Sequence, residues 1–293
     1  MRGVKEAGST MPASGEQVAR AEGIPLYDSS SKVPAWIREI GELIRFRDLL
    51  GVLIVNLTKT RYKRSALGAI WTLLNPLLHM VVLTVAFSHL FRFEIENYPV
   101  YVLSGLICWN FFSQTTTFAM NNLIWGGNLL KRVYLPRTVF SVASVGNGVV
   151  NLALSLLALV VIMLVSGYPF HGTWWFLPLS IAMLVAFSLG CALLVSAAAV
   201  YFSDVAEMYG VALQALFFLT PVIYPKSIVP QEFLGWFSLS PLWMIVEVFR
   251  GPVYTGTIPE TTVVLSALAW SLGMLIVGWM VFCSRCDRIA YRI

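Results

Sequence analysis

The side chains of this sequence that could bind a metal or carry a redox step are three histidines and four cysteines, and their spacing supports neither. His79, His89 and His171 stand apart from one another and from any suitably placed carboxylate, which leaves each as a packing group in a largely apolar stretch. Cys283 and Cys286 make a C-x-x-C, but no second pair or spaced histidines accompany it, so with Cys108 and Cys191 they read as small packing residues. H-E-x-x-H, G-x-S-x-G and the P-loop pattern are missing, so the chain encodes no protease, hydrolase or nucleotide chemistry of its own and calls for no cofactor. What remains is charge. Arg61, Lys63 and Arg64 cluster around Tyr62, and from Ser65 no Asp, Glu, Lys or Arg appears until Arg92. Those 27 uncharged residues exceed the roughly 20 that a helix needs to cross a bilayer, and a basic cluster ahead of such a run is retained on the cytoplasmic side.

Composition agrees with that entry into the membrane. Hydrophobic residues make up 58% of the chain and charged ones only 12%, against roughly 25% charged in a soluble domain, which excludes a cytosolic enzyme. The net charge of +5 is not the footprint of a nucleic-acid binder, because the basic residues sit at the ends of apolar runs and form no separate basic domain.

The elements that must position these groups follow in order. Residues 1–33, rich in Gly, Ser, Ala and charge, are expected to be a mobile cytoplasmic tail without the apolar core of a signal peptide. Residues 34–64 hold an amphipathic helix, with Trp36, Ile37, Ile40, Leu43 and Ile44 on one face and Arg38, Glu39, Glu42, Arg45 and Asp48 on the other. Such a helix suits the membrane interface, and the apolar stretch from Leu49 to Leu57 continues along the membrane into the basic entry. Residues 65–293 form the transmembrane domain. Spans are expected at about 66–91, 98–118, two within the uncharged 138–203, 208–224 and 261–282. The stretch Asn121 to Arg137 is an inside loop with a short helix, and the turn Gly167 to Thr173 divides spans three and four. Between spans five and six, Pro225, Pro230, Pro241 and Pro252 break the apolar pieces into short helices that dip back into the membrane.

Six spans place both termini on one side, and 17 of the 20 Lys and Arg residues then fall inside. The expected fold is thus an all-α polytopic membrane protein with six transmembrane helices, an N-terminal interfacial helix and short re-entrant outer helices. No charged residue lies within spans one to four, which argues against a carrier driven by an ion gradient. Energy must come from another chain.

The pattern formed by Arg61, Tyr62, Lys63, Leu67, Gly68, Trp71 and Pro76 resembles the opening of span one in the membrane subunits of ABC-2 type polysaccharide exporters, and the likeness runs from about Trp36 to the C-terminus. Within that family the chain is most similar to permeases for wall teichoic acid or O-antigen. The resemblance implies a homodimer in the bacterial plasma membrane, working with two copies of a separate ATPase subunit that binds ATP and Mg. Its cargo would be a lipid-linked anionic polysaccharide, wall teichoic acid first, with O-antigen or capsular chains as alternatives; a drug or small-lipid exporter and a non-transporting scaffold for polymer assembly stay open. It also implies a coupling helix at Leu129, Leu130, Lys131, Arg132, Val133 and Tyr134, and a substrate path along spans one and five at Trp71, Phe87, Tyr209, Phe217, Phe218 and Tyr224. The pieces TPVIYP (Thr220 to Pro225) and Ser240 to Arg250 resemble the family's exit gate, with Ser240 in place of the usual Asn. The turn after span four, usually Arg-Asp, is Ser203-Asp204 here.

Overall fold

A computed structural model gives the architecture and describes residues 34–63, 68, 70–87, 95–125, 136–202, 204–225, 228–232, 235 and 239–289. All regular structure among the described residues is helical. The helices are α1 (Ala35–Arg45), α2 (Arg47–Tyr62), α3 (Ile70–Val85), α4 (Tyr98–Trp125), α5 (Thr138–Val165), α6 (Leu177–Tyr201), α7 (Val205–Leu219), α8 (Pro241–Arg250) and α9 (Thr261–Ile289). A 3₁₀ turn, Gly172–Phe176, leads into α6, and a π turn, Gly251–Thr255, follows α8. Three helical segments, at 138–165, 172–201 and 261–285, are long and apolar enough to cross a membrane, while α3 and α7 are shorter apolar helices. With 28 residues α4 reaches about 42 Å, enough to cross, but it carries Asn110, Gln114, Thr115 and Asn122 along its length.

Helix α6 is the centre of the bundle: 56% of its apolar window is buried, against 17% for α9 at the periphery. These two meet without intervening side chains. A Cβ built on Gly278 would lie 2.2 Å from the Gly190 carbonyl oxygen, and one on Gly190 would lie 2.3 Å from that of Met274. Small residues at such a crossing let backbones touch, which is how transmembrane helices gain packing energy without a hydrophobic drive. Gly278→Val is therefore expected to lower the yield of monodisperse protein in detergent and its melting temperature, through an overpacking cost of about 1–3 kcal/mol or more, because backbone cannot move aside as a side chain can. Size-exclusion chromatography and a thermal shift assay check this; a Gly278→Val protein as stable as the parent would overturn the backbone contact.

Helix α1 is amphipathic as expected, but its faces are turned in an informative way. Glu39, on the charged face, is buried and accepts a hydrogen bond from Thr138 Oγ1 at 2.7 Å, whereas Trp36, Ile37, Ile40 and Ile44 on the apolar face are exposed. A helix that docks by its polar side and shows its apolar side outward has the arrangement an interfacial helix needs, since lipid then covers the apolar face. Helix α2 leaves that surface and crosses α5, with Ile54 filling the space left by Gly146 and Thr58 donating to Asn147 Oδ1 at 3.0 Å.

Two helix ends in the middle of the chain differ from the reading of the sequence. Helix α4 continues through Asn121 and Asn122 to Trp125 rather than ending near Phe118, because Asn122 Nδ2 donates sideways to Ser144 Oγ at 3.1 Å instead of competing for the backbone. Helix α7 stops at Leu219, not Tyr224: Thr220 precedes Pro221 and takes extended backbone (φ −95°, ψ 128°), as the clash with the proline ring demands. Asp204 occupies the N-cap position of α7 without a side-chain capping bond. Helix α3 runs from Ile70 to Val85 and passes into a π turn at Ala86 and Phe87; most of the remaining residues of the expected span, 66–91, lie outside the described residues.

Candidate functional site

A cavity of about 240 Å³ opens between α3, α4 and α5. Each helix contributes carboxamides to it: Asn75 from α3, Asn110 and Gln114 from α4, Asn147 and Asn151 from α5. Residues four apart share one helical face, so the two pairs on α4 and α5 each form a polar stripe. Arg61, at the end of α2, also lines the cavity and donates from Nη2 to Gln114 Oε1 at 2.9 Å. Trp71 and Phe111 supply apolar walls. Polar groups cost free energy in a bilayer unless bonded, and Thr58 settles Asn147 in that way. The carboxamides of Asn75 and Asn110 have no partner among the described residues. The cavity thus presents unused donors and acceptors beside aromatic surface, and it can bind a neutral, hydroxyl-rich group.

Further along the same face of α3 lies a larger, mainly apolar groove of about 490 Å³ between α3, α4 and α7. Trp109, Phe217 and Phe218 line it, with ring centroids 5.3 Å apart for Trp109 and Phe217 and 5.4 Å for Phe217 and Phe218. Val82 and Gln214 face the same groove, and Asn110 lines both spaces. Of the six aromatics expected on a path, the structure brings Phe217 and Phe218 together here and places Trp71 in the polar cavity, nearer the start of α3. Tyr209 lines a third pocket and donates to Thr116 Oγ1 at 2.7 Å. Phe87 stacks on Tyr98 with centroids 6.3 Å apart, and Tyr224 donates to the Phe218 carbonyl at 2.7 Å. The six do not share one chamber within a single chain.

The end of the bundle that carries Tyr98, here the upper end, is tied by Arg250. This side chain is 4% exposed and enclosed by protein. Nη1 donates to Tyr101 Oη at 2.8 Å and the Pro221 carbonyl at 3.2 Å, Nη2 donates to the Val222 carbonyl at 2.7 Å, and the guanidinium lies 4.0 Å over the Tyr101 ring. A Cβ at position 105 would meet Nη2 at 2.2 Å, so Gly105 makes the room for it. Tyr98 donates to the Ile223 carbonyl at 2.8 Å and Tyr101 to that of Tyr224 at 3.0 Å. Four successive carbonyls after α7, which Pro221 leaves without a helical ladder, are thereby held by one arginine and two tyrosines. The segment expected to form a gate is pinned to α4 and to the end of α8. Beside it, Tyr168 in the loop after α5 stacks on Tyr254 at 5.7 Å; burial, with Glu96 adding, raises its hydroxyl above the ordinary tyrosine range, so it stays a donor to the Tyr254 carbonyl.

The expected coupling residues Leu129 to Tyr134 lie outside the described residues. Reading the sequence missed Arg250 as a buried group and missed the carboxamide set altogether. The second had a signal: Asn110 with Gln114, and Asn147 with Asn151, are four apart inside apolar spans, where polar side chains are scarce. Arg250 stood in the piece that resembles the family's exit gate, but nothing around it marked it as buried.

Comparison with known proteins gives one family match and three relatives. Residues 48–254 match the family described as "ABC-2 type transporter". The O-antigen export system permease protein RfbA of Myxococcus xanthus is 30% identical over 264 residues, which cover 88% of this chain and 100% of that protein. A protein of the same name from Klebsiella pneumoniae is 27% identical over 72% of this chain and 82% of its own length. The polysialic acid transport protein KpsM of Escherichia coli is 21% identical over 78% of this chain and 89% of its own.

Proposed function

The chain belongs to the ABC-2 type transporter family, and from that premise we propose that it is the membrane-spanning permease of an exporter for a lipid-linked cell-surface polysaccharide. It is a multi-pass inner-membrane subunit, and ATP with its Mg is bound and hydrolysed by a separate subunit. Two permeases and two ATPases make the transporter, six helices of each permease cross the bilayer, and the upper end faces outward. The distribution of Lys and Arg supports that orientation, since 17 of 20 then lie on the cytoplasmic side.

The observation that carries this reading is the surface along α3, with neutral carboxamides toward the start of the helix, stacked aromatics toward its end and Asn110 common to both. A polymer of sugars presents hydroxyl edges and apolar ring faces in alternation, and a conduit for many repeat units needs contacts of that kind, each weak. Trp71, Phe217 and Phe218 sit on this surface; Phe87, Tyr209 and Tyr224 complete the proposed path where two copies meet. Relatives named for O-antigen and polysialic acid support a chain of that type over the wall teichoic acid that the sequence pattern put first.

The test is complementation. A strain that lacks its own O-antigen permease, given this chain with its ATPase subunit, should regain surface O-antigen by antibody labelling of intact cells. An inserted, ATPase-bound chain that leaves all polymer inside would overturn the reading. The same assay in a strain blocked in teichoic acid export separates the two cargoes.

A further inference from the structure

We propose that the polar cavity between α3, α4 and α5 is a binding site for one sugar unit of the lipid-linked chain, the unit attached to the lipid phosphate, with Arg61 at its mouth holding that phosphate. The inference rests on the export reading and adds which part of the substrate is recognised and where.

Size argues for a single unit. A space of about 240 Å³ takes one monosaccharide ring but no strand of polymer, so it cannot be the conduit itself. Chemistry argues for a sugar. A carboxamide offers a donor pair and an acceptor, which matches neighbouring ring hydroxyls that each donate and accept. Five carboxamides line the cavity; those of Asn75 and Asn110 are unbonded among the described residues, while Trp71 and Phe111 offer flat apolar surface for the C–H face of a ring. Among the described residues no Asp, Glu or Lys lines the space, so a cation or an amine has nothing to balance its charge there.

Arg61 fixes which sugar unit. Among the described residues it is the cavity's one cationic lining residue, and of its five N–H donors one is used on Gln114, leaving the rest for an anion. A phosphate directly bonded to the sugar in the cavity is the anion that a lipid-linked chain presents at that distance. An internal repeat has no obligatory phosphate beside each ring. The crossing of α2 over α5 at Gly146 and Asn147 brings Arg61 to this place, since the helix turns its last residues toward α4.

The experiment uses the complete permease–ATPase complex in detergent and three probes: a monosaccharide linked to farnesyl diphosphate, farnesyl diphosphate alone, and the free monosaccharide. Binding is measured by isothermal titration for the parent and for Asn75→Leu, Asn110→Leu and Arg61→Gln. The two leucine variants remove no hydrogen bond within the described protein, so they are expected to elute as the parent does on size exclusion. Each should weaken the sugar-bearing probe about tenfold and leave farnesyl diphosphate unchanged. Arg61→Gln should weaken both diphosphate probes to a similar degree, and the free sugar should bind far more weakly than the linked one. Parent-like binding of the sugar-bearing probe by both leucine variants overturns the site, as does equal loss of the sugarless probe. Binding of internal oligosaccharide fragments as tightly as the linked monosaccharide overturns the choice of unit. If surface display of the polymer is normal in such a case, the export reading stands and only the subsite falls; if the parent displays no polymer, the export reading falls first.

Discussion

Replacing Arg250 with methionine will stop polymer export with the helices still inserted, because the Pro221 and Val222 carbonyls lose their anchor and Tyr101, which holds the Tyr224 carbonyl, loses its partner. Hydrogen bonds to a charged group are worth about 1.5–3 kcal/mol each, and Arg250 makes three, two of them to Pro221 and Val222. Methionine keeps much of the side-chain volume but offers no donor, so those carbonyls must find water or distort. Neither is compatible with a closed apolar end. A cysteine placed at Val222, fully buried in the parent, should go from unreactive to labelled by a membrane-impermeant maleimide in intact cells, at least tenfold faster in the Arg250→Met background. Lysine should rescue only in part, since an ammonium cannot present the planar fork that reaches Tyr101 and two carbonyls together. Parent-level export and an unreactive Val222→Cys in the methionine variant would remove Arg250 from any role at the gate.

Substituting aspartate for both Leu130 and Tyr134 will abolish ATP hydrolysis stimulated by the permease. The resemblance places these residues on the face that docks against the ATPase, between an apolar patch and the charges of Lys131 and Arg132. A carboxylate left unpaired in an apolar interface costs about 3–5 kcal/mol, and each 1.4 kcal/mol is tenfold in affinity, so two should leave the complex unassembled at working concentrations. Co-purification of the subunits and ATPase rate in vesicles read the effect. Normal assembly and turnover would make Asn121 to Arg137 an ordinary topogenic loop and revive the scaffold reading.

How far the sequence reached can be judged residue by residue. The uncharged stretch from Thr138 to Ser203 foretold two long helices split by Gly167 to Thr173, and α5 and α6 lie there with a loop at 166–171 and a short 3₁₀ turn between them. Periodicity and the absence of charge are local properties, and they survive folding. The amphipathic pattern from Trp36 to Ile44 was equally local, but which face would be buried was not: Glu39 had to meet Thr138, 99 residues away, for the polar side to turn inward. Arg61 shows the same limit. Its charge marked the entry to the membrane, yet its bond to Gln114 depends on the angle at which α2 crosses α5, and that angle is set by Gly146 accepting Ile54. Arg250 was counted as an exception to the charge bias because nothing in its neighbours reveals the turn at Pro221 that it holds.

The contact between Gly190 and Gly278 also bears on how such a subunit can move. Two helices joined by side chains can slide, since rotamers readjust; two joined backbone to backbone cannot, because a one-residue shift drives the Cβ of Cys191 or Val277 toward main-chain atoms. Helices α6 and α9 therefore behave as one stiff body, a stator, and compliance has to reside elsewhere. The short helices α3 and α7 are where it can: α3 carries Pro76 in its middle, and α7 ends in a proline turn that the Arg250 side chain helps to hold. A power stroke delivered from the cytoplasmic side would then be felt as a change in the width of the seam between those two helices, with the α6–α9 pair serving as the fixed wall against which that strain is developed.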